Sequence, residues 1–97
     1  MDTRDWIKNY NKYSLEMEIL KFNESNPERL ALLEREKTLI DMVINGMEFD
    51  DQRLMDGLIR HKYSYRRMAY ELCIAKSTVY DRTKKAIDFM VEMLENQ

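Results

Sequence analysis

The chain has 97 residues, 44% hydrophobic and 35% charged, with a formal net charge of -2. That is enough chain for one small domain with a modest core, and too little for two. A single cysteine and a single histidine exclude an internal disulfide and a structural zinc site, and the apolar runs fall far short of a membrane span.

With two glycines and one proline, and with Leu, Met, Glu, Lys and Arg abundant, the composition predicts an all-α fold of about five helices. No secretory leader pattern is present, so a reduced, cytoplasmic setting and no membrane partner are expected.

From Thr3 to about Phe22, Trp6, Tyr10, Tyr13, Met17 and Leu20 recur at steps of three and four, which predicts one helix with a single buried stripe. A second helix is expected from Pro27, capped by Asn26 and with Glu28 at its positive end. It should stop at Asn45-Gly46, the glycine taking a left-handed cap. Residues 1–46 thus read as an N-terminal helical pair. Its aromatic stripe has two open uses, packing on the rest of the domain or forming a homodimer seam.

Asp50 or Asp51 is expected to cap a third helix with Leu54, Met55, Leu58 and Ile59 on its apolar face, weakened by Gly57 and ending at residues 60–62. Ser64 caps a short fourth helix ending near Leu72, and a last helix spans residues 76–94. Met68, Ala69, Leu72, Ile74 and Val79 are expected to form the pocket between these two, the face continuing through Thr83, Ala86, Met90 and Met93.

Charge is unevenly placed. Residues 59–86 carry eight basic and two acidic side chains, a net +6, which leaves -8 for the remainder. A short helix, a tight turn and a helix with a free polar side are the parts of a helix-turn-helix, and local positive charge suits double-stranded DNA. Ser77, Thr78, Tyr80 and Asp81 stand near the start of the last helix, where base edges come within reach; Arg82, Lys84 and Lys85 suit phosphates. Ser64, Arg66, Arg67 and Lys76 complete the expected DNA surface.

The run Tyr63-Ser64-Tyr65, Met68-Ala69, Leu72, Ile74, Ser77-Thr78-Val79 and Lys84-Lys85-Ala86 resembles region 4 of bacterial sigma factors. It is also similar to small phage and prophage transcription regulators built on that domain, of the ArpU, RinA and positive-control types. The resemblance covers residues 50–95 and implies a sequence-specific regulator of phage or prophage type, with RNA polymerase as a further partner. The family commonly has glycine where Cys73 stands, which implies a looser turn here, and leucine where Thr83 stands, which implies a weaker core edge.

Two other readings compete: a module that docks on RNA polymerase or another protein without binding DNA, and a small terminase-like DNA-packaging subunit. No phosphate loop, paired catalytic carboxylates or nucleophile with a base is visible, so neither catalysis nor a cofactor or metal is expected. Cys73 reads as a buried or turn residue rather than a nucleophile.

Overall fold

A computed structural model describes residues 2–96. Their backbone forms six α-helices, α1 (Thr3–Lys8), α2 (Tyr10–Asn23), α3 (Pro27–Asn45), α4 (Phe49–Met55), α5 (Tyr65–Leu72) and α6 (Lys76–Glu95), with a π-helical segment at Asp56–Arg60. No strand occurs among the described residues, so the fold is all-α.

The additional helix arises at Asn9, which interrupts the expected Thr3–Phe22 helix. The Asn9 side-chain amide donates to the Asp5 carbonyl and carboxylate, both at 3.0 Å. Such side-chain bonding competes with helix continuation, and Asn9 sits at φ -112, ψ 24. The break frees α1 to pack on α6 while α2 packs on α3. Trp6 is fully buried and Tyr10 nearly so. The aromatic stripe therefore faces the chain's own core, and a homodimer seam would need another surface.

The α2–α3 turn is built from two left-handed residues, Glu24 and Asn26. Ser25 N–H donates to Leu20 O and Glu24 N–H to Lys21 O, which together close the end of α2. Asn26 caps α3 as expected, its side chain accepting from Arg29 N–H at 3.2 Å. At the far end Gly46 does not take the expected left-handed conformation; its φ is -89. Its N–H reaches back to Met42 and Val43 carbonyls instead, a tightened last turn that does the same work.

α4 begins one or two residues before the expected caps. Glu48 is the N-cap, and Asp50 and Asp51 lie in the first turn, where negative charge still favours the helix start. The π segment follows without a break. Gly57 lies buried in it, and a Cβ there would come within 2.8 Å of Met68 Cε. The glycine thus lets this segment approach α5 closely, a role beyond the expected weakening of a helix.

Trp6, Leu33, Ile40, Ile44, Leu54, Met55, Val79 and Met90 are the fully buried side chains of one core that draws on α1, α3, α4 and α6. Thr83, Ala86 and Met90 continue the Val79 face as expected, but Met93 is 49% exposed, lining an open cleft with Met42 and Val43 of α3 while Leu94 packs on the core.

Asp41 fastens three elements. Its carboxylate accepts from Tyr10 Oη at 2.7 Å, Lys37 Nζ at 3.0 Å and Arg60 Nη2 at 2.8 Å, and Arg60 also binds Asp56 at 3.0 Å. Burial pushes the Asp41 carboxyl up, but the bonds donated by Arg60, Tyr10 and Lys37 outweigh it and hold it below the usual carboxylate range. A lowered folded-state value contributes stability above the ordinary carboxylate pKa, and that contribution fades as pH falls through the lowered one. Asp41→Asn should therefore cost about 1–2 kcal/mol at neutral pH. The difference from the wild type should shrink in acid below about pH 4, as urea melts at a series of pH values would read.

Candidate nucleic-acid interface

Ser64, itself extended, caps α5, its hydroxyl accepting from Arg67 N–H at 3.1 Å. α5 closes at Cys73, which takes φ 56, ψ 43. Ile74 N–H donates to Ala69 O at 3.0 Å and Cys73 N–H to Tyr70 O at 3.2 Å, the double closure that a left-handed residue allows. The turn from α5 to α6 is thus three residues long and fully closed, tighter than expected from the absence of glycine. Cys73 is exposed, which settles its place as a turn residue.

Holding a Cβ in the left-handed region costs about 1–2 kcal/mol, and glycine gives back about 0.5–1 kcal/mol through its freer unfolded chain. Cys73→Gly should accordingly stabilise the protein by about 0.5–1 kcal/mol, a rise of about 3 °C in a thermal melt.

Val79 is wholly buried in the cluster that also holds Met68, with Ala69, Leu72 and Ile74 packed on it. This contact sets the rotation of α6. Ser77, Asp81 and Lys84, spaced by four and three, consequently form one exposed ridge on the side away from the core. Thr78 is half-buried on one flank of the ridge. On the other flank Tyr80, 49% exposed, packs its ring 4.4 Å from that of Tyr65, and Lys76 Nζ lies 5.9 Å from the Tyr80 ring centre. Ala75 provides no side-chain cap for α6.

The charge of the expected surface divides by environment. Arg66, Lys76 and Lys84 are exposed. Arg67 is also exposed, but its guanidinium lies 3.7 Å over the Tyr63 ring and 3.8 Å from Glu71. Arg82 and Lys85 line a cleft of about 350 Å³ whose opposite wall is Glu48, Asp50 and Asp51 of the α4 start. Two cations of the basic block already have partners within the fold. Arg60 is committed to Asp41 and Asp56, and Lys62, itself left-handed, donates to the Lys8 carbonyl at 2.7 Å.

Along α6 the sign of charge reverses. Lys76, Arg82, Lys84 and Lys85 occupy the first half, and Asp88, Glu92 and Glu95 the second. The basic half spans about 15 Å at the helical rise. Sequence reading missed both this reversal as a boundary and the acidic wall opposite Arg82; the reversal was visible in the order of the residues, whereas the wall needs tertiary placement.

Among the described residues no group of His, Cys, Asp and Glu is arranged to hold a metal ion, and no helix is long and apolar enough to cross a membrane. Comparison with protein-family models, curated proteins and solved structures finds no match to this chain.

Proposed function

We propose that the protein binds double-stranded DNA, laying the first half of α6 in the major groove, and acts as a transcription regulator of phage or prophage type. The observation that carries this reading is the exposed ridge Ser77–Asp81–Lys84, with Lys76 exposed on the same helix and Arg66 exposed on α5, the ridge held in rotation by buried Val79. A small polar residue, an acceptor and a cation on one free helix side are groups that base edges and phosphates can use. The uncapped amides at the start of α6 add donors that point out of the helix N-terminus.

In this reading Arg66, Lys76 and Lys84 are the main phosphate ligands. Arg82 and Lys85 contribute less, since a phosphate at their cleft also approaches Glu48, Asp50 and Asp51.

Substitution on α6 tests the assignment. Lys84→Ala should weaken binding to all duplexes alike and lower the slope of log K against log salt by about one, whereas Lys85→Ala should lower it by clearly less. Ser77→Ala should change sequence preference by about 1–3 kcal/mol at the base it touches and leave the slope intact. Equal effects of Lys84 and Lys85 would remove the role given to the acidic wall, and no effect of either would remove the proposed face.

A further inference from the structure

On the side of α6 away from the acidic wall, a cavity of about 330 Å³ opens between α1, the π segment and the middle of α6. Its volume lies within the range of small-molecule sites. Ile7, Leu58, Ile59 and Ile87 provide an aliphatic surface, while Arg4, Lys8 and Lys62 supply three cations and no carboxylate lines it. A second cavity adjoins it, sharing Arg4, Tyr65, Thr83 and Ile87. Asp81, Lys84 and Asp88 line only this second cavity, and Asp88 is tied to Arg4 at 2.8 Å.

Thr83 supplies an independent sign. It lines both cavities, is 4% exposed, and its hydroxyl is buried without a hydrogen-bond partner. A buried hydroxyl with nothing to bond is unfavourable and uncommon in a folded chain. Rotation about χ1 by about 120° carries the hydroxyl into the place the methyl held, from one staggered well to the next, and threonine in a helix readily occupies two of them. A ligand group beside Thr83 would give that hydroxyl the partner it lacks.

We propose that this cavity binds a small carboxylate with an apolar body, such as a medium-chain fatty acid. The head group lies among Lys8, Lys62, Arg4 and the Thr83 hydroxyl, from which it accepts, and the hydrocarbon covers Ile7, Leu58, Ile59 and Ile87. Charge excludes a cationic ligand, since every ionised group lining the first cavity is positive. The aliphatic floor distinguishes the ligand of this site from that of the DNA ridge, because a phosphate backbone has no apolar body to bury there. An occupant would lie against Tyr65, whose ring contacts Tyr80 on the α6 flank.

The test uses the full chain without DNA, so its outcome is independent of the DNA reading. Decanoate, kept below its micelle concentration, is titrated by calorimetry and by methyl NMR, with decyltrimethylammonium as the cation carrying the same tail. Saturable one-to-one binding of decanoate is expected, with shifts at Ile7, Ile59 and Ile87 and binding of the cation weaker by about tenfold or more. Lys8→Glu should weaken decanoate by about tenfold. Thr83→Val should raise the melting temperature yet weaken decanoate severalfold, and Thr83→Ser should restore affinity. Non-saturable uptake, equal binding of cation and anion, shifts confined to other surfaces, or indifference to Lys8→Glu would each overturn the proposal.

Discussion

Val79→Asp is expected to abolish cooperative folding of the C-terminal half of the molecule. Val79 is wholly buried where α5 meets α6, in an apolar cluster shared with Met68, Thr83's neighbours Ala86 and Met90, and the core helices. No basic residue lies among the buried side chains of that cluster to pair with a carboxylate. An uncompensated charge there costs several kcal/mol, above about 4 kcal/mol for a site of this kind. A small domain holds only about 5–15 kcal/mol in all. Circular dichroism should therefore show a broadened or absent thermal transition, while Asp81→Ala on the exposed ridge should melt close to the wild type. An unchanged melt for Val79→Asp would mean that the rotation of α6 described here is wrong.

Trp6→Ala is the second large effect. Trp6 is fully buried, with its ring 4.8 Å from that of Tyr13 and edge-on to Tyr10 at 6.1 Å. It fastens α1, which reaches the body of the protein chiefly through α6. Removing the indole should cost about 3–5 kcal/mol through lost burial and the cavity left behind. At ordinary denaturant sensitivity the urea midpoint should fall by about 2 M. The indole N–H is buried with no partner, so phenylalanine loses volume but also removes an unsatisfied donor. Trp6→Phe should therefore retain most of the stability. If the two substitutions proved equally damaging, the indole N–H would have a role that packing does not explain.

The helices that place the candidate site were legible because their signals are local. Pro27 after Asn26, Ser64 before α5, and the three-and-four spacing from Val79 to Met90 each act within one or two turns, and each stands where the sequence places it. The misreadings come from competition that periodicity does not register. Trp6 to Leu20 keeps one stripe whether or not the helix is continuous, so the Asn9 break is silent in that pattern. Gly46 is able to take a left-handed cap, but the carbonyls of Met42 and Val43 accept its N–H without one. Cys73 takes the left-handed position that glycine would have signalled.

Surface character was less legible still. α2 carries a second apolar strip, Leu15, Ile19 and Phe22, exposed at 62%, 51% and 89%, on the side opposite Tyr10 and Met17. The buried stripe drew the reading because it contains the aromatic residues. The +6 block, in turn, counts Arg60 and Lys62, which the fold spends on Asp41, Asp56 and the end of α1. It also counts Arg82 and Lys85, which face carboxylates from a helix over 30 residues earlier in the chain. Net charge by segment therefore locates the basic region but overstates how much of it a polyanion meets.

Salt dependence of DNA binding by the unmodified chain tests the central claim most directly. Fluorescence anisotropy with a mixed-sequence duplex, repeated across rising salt, reads the number of phosphates engaged. With Arg66, Lys76 and Lys84 as the main ligands, the slope of log K against log salt should be about -3, at roughly 0.9 per neutralised phosphate. Binding that is undetectable even at the lowest salt, or that does not weaken as salt rises, would contradict a DNA-binding role for the first half of α6.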